Sequence, residues 1–336
     1  DPIWGNGGSY MMGKGYFLNM LAHYELISGK QFDNPVEFVY DDEIRFSYTH
    51  DEIAQVLYDQ FMAEVDDGGT TLTPGIDCEV GKVFPWCVSV GGMAMHLTDK
   101  LHGTNTRTGY YRWLDWIKQE NMVGGAETPD GPYNWATIYY DRDIPYNMNG
   151  PQHQIPGNWL CCAYQYSMSD LKLATRLYEG AINKFMITEP DGSAHINLPP
   201  ELGGGEDLVG FGAAVSCAWE FGDYDTHARL QRWANDHYQP TRKDGEFYYK
   251  FGIDEQWPRG WPNDWMLMSV AGGPGSWQKM HNDPDIKKFH QPTLVGVNYP
   301  DVAVRQAKYD ESIGALVLSI TAGSDGKLAG EKTTFR

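Results

Sequence analysis

Two cysteines nine positions apart, in "GIDCEVGKVFPWC" at residues 75–87, are the residues whose types and spacing most directly suggest chemistry. Glu79 follows Cys78, and the aromatic residues Phe84 and Trp86 come shortly before Cys87. Apolar surroundings raise the pKa of a thiol, and a nearby charge that favours the thiolate lowers it, so one thiol could donate a proton while the other accepts one. The same spacing also permits a disulfide, a metal-binding site formed by both sulfurs, or two buried core residues.

The composition limits the partners that such a pocket could serve. The net charge is −19 and no run of Lys and Arg occurs, which argues against nucleic acid and against anionic membranes. No apolar stretch approaches the ~20 residues of a transmembrane helix, so no membrane span is expected. The chain contains 12 Trp and 21 Tyr, more than packing requires, and wide aromatic-lined pockets are one use for them.

The cysteine count and the absence of known motifs indicate the cellular compartment of the protein and whether it needs a metal or a cofactor. Five cysteines form an odd set and no N-x-S/T sequon occurs, which favours a cytoplasmic location over secretion. The chain starts without Met and stops on "GEKTTFR", so we expect the full protein to extend past one or both ends, and targeting signals could lie there. No C-x2-C, H-E-x-x-H, Rossmann or P-loop pattern is present, so neither a metal nor a cofactor is predicted.

Apolar residues recur at helical spacing along most of the chain. Thr49 and Glu52 form a capping box ahead of one such stripe, and Gly29 and Gly103 end two others. Only the last ~50 residues alternate apolar and polar residues as strands do. The helices are predicted at residues 9–28, 49–65, 86–101, 109–120, 157–168, 170–187, 208–221, 225–237 and 262–271.

Long Gly- and Pro-rich loops separate these helices, and the helix–loop–helix pattern recurs at roughly 40–60 residues. Paired helices with functional loops at one rim indicate a mainly α fold, an α/α toroid, with an irregular helical bundle as the alternative. We therefore predict a helical catalytic domain over residues 1–285 and a small β-appendage over residues 286–336.

Several segments occur together in an order that resembles a known family. They are "YMMGKGYFLNMLAHYELISG" at 10–29, "GIDCEVGKVFPWC" at 75–87, "DKLHGTNTRTGYYRWLDWIKQ" at 99–119 and "GGGEDLVGFGAAVSCAWEFGD" at 203–223. Together they are similar to the linalool dehydratase/isomerase family over about residues 1–275. The resemblance implies a cofactor-free enzyme on an (α/α)6 barrel that interconverts allylic terpene alcohols and removes water to give a diene.

The resemblance also implies site residues. The two pocket cysteines of the family fall on Cys78 and Cys87, with Glu79 beside the first. The family's pocket His falls on Tyr16, a phenol and a much weaker base near neutrality, so this chain departs from the family at that position. Residues that contact substrate fall on Met12, Phe84 and Trp159. The family also has an upstream segment with an Asp, a Tyr and a Cys for the site, and this chain begins after it.

Further candidates come from the residues themselves. Trp86 would line the pocket beside Phe84. Tyr139 and Asp207 are predicted at its rim. His153, on a polar loop, could replace the missing imidazole. The "GGGED" stretch indicates a tight turn into the helix from Leu208. The remaining cysteines are interpreted as structural and three histidines as ordinary, namely Cys161, Cys162, Cys217, His96, His102 and His195.

Three functions remain open from the sequence. The first is an acid–base lyase, isomerase or cyclase acting on a small apolar alkenol, in a chain that we expect to form a homo-oligomer. The second is a carbohydrate-active toroid, such as a glycosidase, lyase or epimerase, which needs two carboxylates about 5–10 Å apart. Its candidates are Glu79, Asp141, Asp207 and Asp264. The third is a binding protein that has the barrel without the catalysis.

Overall fold

The protein is mainly α-helical. The computed structural model describes residues 1–3, 10–30, 35–64, 69, 72–120, 122–128, 131–142, 155–243, 246–251, 260–297 and 302–322. Over these residues the helices are α1 (Met11–Ser28), α2 (His50–Met62), α3 (Pro85–His102), α4 (Arg107–Gln119), α5 (Pro156–Tyr166), α6 (Leu171–Phe185), α7 (Leu208–Glu220), α8 (Tyr224–His237), α9 (Gly260–Ala271) and α10 (Ser276–Asn282).

The strands described form two-stranded sheets. Five sheets join strands that follow one another in the chain, and one joins β3 to β6. The strands are β1 (Val36–Val39), β2 (Arg45–Tyr48), β3 (Lys82–Val83), β4 (Val123–Thr128), β5 (Gly131–Ala136), β6 (Tyr140–Asp141), β7 (Met186–Thr188), β8 (Ala194–Ile196), β9 (Pro240–Lys243), β10 (Glu246–Tyr249), β11 (Val302–Asp310) and β12 (Ala315–Ala322).

The predicted helices are confirmed, with ends that shift by up to three residues. The capping box that starts α2 is present, because the Thr49 hydroxyl accepts from the Glu52 amide and the Glu52 carboxylate accepts from the Thr49 amide. Gly29 and Gly103 both adopt left-handed conformations that end α1 and α3. Local capping chemistry therefore sets the end of α1, the start of α2 and the end of α3.

The helices pack in two layers. The odd-numbered helices contact one another in chain order, α1 with α3, α3 with α5, α5 with α7 and α7 with α9. These contacts bury helices such as α5 on all sides, which explains its nearly continuous apolar sequence. The even-numbered helices α2, α4, α6 and α8 pack on their predecessors and bury one stripe each.

The chain divides into two compact units. The first comprises residues 1–239 and 249–284, and it contains the helices that carry the cysteine motif. The second comprises residues 240–248 and 285–336. In the second unit β11 and β12 form an antiparallel hairpin that pairs Val302 with Ala322 and Asp310 with Ala315, with a bulge between Val304 and Gln306.

Candidate active site

A close crossing of α1 and α3 brings Tyr16 to Cys87. A Cβ added at Gly15 would lie 3.2 Å from the Cα of Gly91, and at either glycine it would meet the Met11 sulfur within 2.5 Å. The two helices can approach this closely only because both positions lack a side chain. Tyr16 follows Gly15 on α1, and Cys87 lies one turn before Gly91 on α3.

The loop that carries Cys78 is tied to both neighbouring elements. The Met11 amide at the start of α1 donates to the Asp77 carbonyl at 2.7 Å, and the Cys78 amide donates to the Lys82 carbonyl at 2.8 Å. The Asp77 carboxylate accepts from Arg142 at 3.2 Å, beside the pairing of β3 with β6. These contacts fix Cys78 against the first turn of α3, where Cys87 lies.

Both thiols are free, and the Tyr16 hydroxyl contacts one of them. All five cysteines of the protein are unbonded, which removes the disulfide interpretation of the motif. The Cys78 thiol is buried, and its sulfur lies 3.8 Å from the Phe84 carbonyl oxygen. The Tyr16 hydroxyl oxygen lies 4.0 Å from the Cys87 sulfur and donates to it. In the electrostatics of the site, the Cys78 thiol and the Tyr16 hydroxyl both act on Cys87 as donors.

This arrangement drives the pKa values of the two thiols apart. Burial raises the pKa of Cys78 well above its ordinary value, and its hydrogen bond to Cys87 raises it further. The same hydrogen bond, with a second one from Tyr16, lowers the pKa of Cys87 against the opposing effects of burial and of the Glu79 charge. Burial and the Cys87 charge raise the pKa of Tyr16. Cys78 and Tyr16 thus stay protonated while Cys87 is the group that ionises.

Aromatic side chains stand beside the thiols. Phe84, whose carbonyl faces Cys78, packs its ring 5.1 Å from the ring of Tyr139. Trp86 on the first turn of α3 packs edge-on against Trp261 at 5.5 Å. With its side-chain amide oriented to satisfy both groups, Gln165 on α5 accepts from the Trp86 indole at 2.7 Å and donates to the Trp86 carbonyl at 2.9 Å. The structure thus brings Phe84, Trp86 and Tyr139 to the same end of α3.

Other predicted residues lie in different surroundings. Met12 is exposed on α1 one turn before Tyr16, so the two side chains share a face of that helix. Glu79 is exposed in the tight turn that joins it to Lys82, and its charge raises the pKa of Cys87. Trp159 is fully buried on α5, where its ring packs against an aromatic ring of α6 at 5.3 Å. His153 lies outside the described residues.

Asp207 has a structural role that accounts for its burial. One carboxylate oxygen accepts from the Gly210 amide at 2.9 Å and caps α7, and the other accepts from the Gly157 amide at 2.8 Å at the start of α5. The predicted turn before it is confirmed, because the three glycines of "GGGED" all have positive φ and α7 begins at Leu208. Both carboxylate oxygens of Asp207, one of the candidate residues for a carbohydrate-active enzyme, are therefore already hydrogen-bonded to backbone amides.

Sequence reasoning missed Lys14, a buried lysine on α1 beside the cysteine loop. It is only 1% exposed, and burial lowers its pKa from 10.5 to about 8, with the Asp77 charge opposing the shift. The sequence contains a usable indication, since Lys14 falls on the face of α1 that also carries Met11, Leu18 and Leu21. A charged residue at a core-facing position of an amphipathic helix is uncommon and often functional.

The predicted absence of a membrane span agrees with the structure. Among the helices described, none combines the length and the apolar character needed to cross a bilayer.

A sequence profile of the linalool dehydratase/isomerase family matches residues 7–252, nearly three quarters of the chain. The matched region contains α1, the cysteine loop, α3 and the helices up to α8. It therefore includes Tyr16, Cys78 and Cys87, together with the aromatic residues Phe84 and Tyr139. The chain belongs to the linalool dehydratase/isomerase family and is an enzyme of the dehydratase/isomerase type.

Proposed function

We propose that the protein is a cofactor-independent acid–base lyase or isomerase that acts on a small apolar alkenol at the thiol pair Cys78 and Cys87. The observation that carries the proposal is the contact of the Tyr16 hydroxyl with Cys87, in a site whose electrostatics separates the pKa values of Cys78 and Cys87. Two titratable groups whose surroundings push their pKa values apart are suited to act as an acid and a base.

In the proposed reaction Cys78 provides the proton and Cys87 removes one. The Cys78 thiol protonates the hydroxyl group of the alkenol, the C–O bond breaks with its electron pair leaving as water, and an allylic cation forms. The Cys87 thiolate then takes a proton from the carbon next to the cation, which gives a diene. In isomerisation, water adds instead to the other end of the allylic cation, and the proton that it loses returns to the Cys78 thiolate.

A proton transfer between the two thiols would return the enzyme to its starting state. After elimination Cys78 lacks a proton and Cys87 carries one, and the opposite shifts of their pKa values favour transfer of that proton from Cys87 to Cys78. The net change is then alkenol to diene plus water, without any change in the protein. Tyr16 stays protonated throughout and stabilises the Cys87 thiolate through its hydroxyl.

Aromatic residues beside the thiols favour an apolar substrate with cationic character in its transition state. The Phe84–Tyr139 ring pair adjoins the Cys78 side of the loop. An aromatic face attracts a cation by ~0.5–2 kcal/mol, and apolar walls also exclude water that would trap the allylic cation. We infer that Phe84 and Tyr139 line the pocket, with Trp86 and Met12 at its edge.

We also propose that the two layers of helices form an (α/α)6 barrel. The support is the sequential packing of α1, α3, α5, α7 and α9 as one layer, with α2, α4, α6 and α8 packed on it. This is the packing order of the inner and outer helices of an α/α toroid. Cys78, Cys87 and Tyr16 would then lie at one end of the inner helices, as loop-borne and helix-end site residues do.

The test is a Cys87→Ser variant assayed with a series of allylic alcohols of increasing chain length, with the diene detected by gas chromatography. Loss of the thiolate should lower kcat/KM by at least ~100-fold, the low end for removal of a general base. Cys217→Ser is the matched control, because Cys217 is a buried thiol that donates to the Leu160 carbonyl on α5. Full activity in folded Cys87→Ser would rule out the thiol mechanism and favour the carbohydrate-active or binding alternatives.

A further inference from the structure

Three side chains with metal-binding atoms converge where α1, α2 and α3 meet. Glu25 lies in the last turn of α1, His50 is the first residue of α2 and His102 is the last residue of α3. One potential ligand atom from each lies within 4.8 Å of the other two. A Glu25 oxygen lies 3.2 Å from His50 Nδ1 and 2.8 Å from His102 Nε2, and both Glu25 and His50 are buried.

The outer nitrogen of each histidine already has a hydrogen-bond partner. His50 Nε2 lies 2.9 Å from the Thr98 hydroxyl, and His102 Nδ1 lies 2.5 Å from the Asp51 carboxylate. Histidines that bind metals donate the outer N–H to such a group, which fixes the tautomer and points the inner lone pair at the metal. Here both inner nitrogens point towards the same Glu25 carboxylate.

The charges of the cluster suit a cation. Glu25 and Asp51 bring two carboxylates to a site with two imidazoles, and His102 contacts both carboxylates.

The geometry needs only a small adjustment to hold an ion. Ligand atoms about 2.0–2.1 Å from a tetrahedral Zn²⁺ lie roughly 3.3–3.4 Å apart, so the 2.8 Å and 3.2 Å separations would open by about 0.6 Å or less. The separation between the two histidine nitrogens, which is within 4.8 Å, would close by about 1.5 Å or less. An ion could enter from the solvent side, where the half-exposed Asp51 lines a polar surface cavity of about 450 Å³ with Gln55 and Thr104.

We propose that Glu25, His50 and His102 bind one divalent transition-metal ion, with Zn²⁺ as the best-suited species. Two imidazoles and one carboxylate are ligands that Zn²⁺ accepts, and water would complete the tetrahedron. The ion would hold the ends of α1, α2 and α3 together. Cys87 and His102 stand 15 residues apart on α3, about 22 Å along its axis, so the ion takes no part in the chemistry at the thiols.

The experiment is a calorimetric titration of chelator-treated protein with ZnCl₂. We expect one ion per chain with a Kd below about 1 µM, and a Tm about 4 °C higher at 100 times that Kd. Glu25→Gln and His102→Gln should each weaken binding by more than the roughly 10–100-fold that loss of an outer partner costs. His237→Gln, which removes an exposed histidine on α8, should leave binding unchanged and serves as the control.

The thiols are the competing zinc ligands, and X-ray absorption at the zinc edge separates the two sites. The proposed site gives only nitrogen and oxygen neighbours at about 2.0–2.1 Å, whereas a thiol site gives sulfur at about 2.3 Å. Sulfur neighbours, binding unaffected by Glu25→Gln, or a Kd above about 100 µM would each overturn the proposal. Should the variants fail to fold, the absorption spectrum of the wild-type protein decides.

Discussion

Removing the Tyr16 hydroxyl offers a direct test of how the site holds Cys87 as a thiolate. Tyr16→Phe keeps the ring on α1 and deletes only the donor that lies 4.0 Å from the Cys87 sulfur. The Cys78 thiol remains as the stronger of the two donors, so the variant should retain part of the stabilisation of the thiolate. We therefore expect a partial upward shift of the Cys87 pKa.

The size of that shift follows from the geometry. A hydrogen bond to a charged group contributes about 1.5–3 kcal/mol at ordinary length. The 4.0 Å separation and the 39% exposure of Tyr16 weaken this one, and solvent screening leaves about 1 kcal/mol. Because one pKa unit corresponds to about 1.4 kcal/mol, the Cys87 pKa should rise by about 0.7 unit. Below that pKa, the thiolate fraction and kcat/KM should each fall about 5-fold.

The assay is the rate of iodoacetamide alkylation at Cys87 as a function of pH, with the modified peptide identified by mass spectrometry. Tyr24→Phe, which alters an exposed tyrosine two turns further along α1, is the control and should leave the profile unchanged. An unaltered Cys87 pKa in Tyr16→Phe would show that the hydroxyl does not stabilise the thiolate.

Three further changes test the account. His153→Gln should barely alter kcat/KM if the thiols move the protons, whereas a loss of at least ~100-fold would identify His153 as the base. Lys14→Met should raise the free energy of unfolding at pH 7 by up to about 3 kcal/mol, because the buried ammonium group has its pKa lowered to about 8. Lysine in the unfolded chain binds its proton more tightly, so this gain in stability should shrink as the pH rises from about 8 to 10.5. Urea titrations at pH 7 and pH 10 measure the gain. A Lys14→Met variant that is less stable than the wild type at pH 7 would contradict the prediction. Dialysis against EDTA should leave kcat unchanged at 25 °C while lowering the Tm by about 4 °C, and activity that vanishes and returns with zinc would contradict the thiol mechanism.

Local patterns predicted the helices because local forces determine them. The stripe of α4, with Tyr110, Trp113, Leu114 and Ile117 on one side, is buried as its spacing predicts. Strand pairs were harder to foresee. The Gly- and Pro-rich segments between the helices are predicted as loops, yet the one after α4 contains β4 and β5, which pair Val123 with Ala136. Its Pro-Asp-Gly turn residues also occur in plain loops, so the sequence alone does not distinguish a hairpin from a loop.

The candidate site was predictable only in part, because its chemistry depends on contacts between distant segments. Cys78 and Cys87 come from one motif, but the donor Tyr16 reaches Cys87 through a helix crossing made possible by Gly15 and Gly91. Nothing in the spacing of α1 and α3 indicates that crossing. The charged residues Lys14 and Glu25 lie on the buried face of α1, where the apolar spacing of the helix predicts core residues. No short sequence motif includes either of them.

His102 is a second residue whose contacts with distant segments the sequence does not indicate. It was interpreted as an ordinary histidine, because no short motif links it to His50 or Glu25, which lie 52 and 77 positions earlier in the chain. Folding brings the three together at the ends of three helices. Ligand sets assembled from separate helices have no fixed spacing, so the absence of a zinc motif predicts nothing about them.

The most direct test of the central claim is the titration of Cys87 itself, set beside the pH dependence of catalysis. Thiolate absorbance of the wild-type protein minus that of Cys87→Ser isolates this one group. We predict that Cys87 ionises below the ordinary thiol pKa of ~8.5 and that kcat/KM rises with pH over the same range. A Cys87 that ionises at or above that value, or activity whose rise does not follow its ionisation, would contradict the assignment of Cys87 as the base.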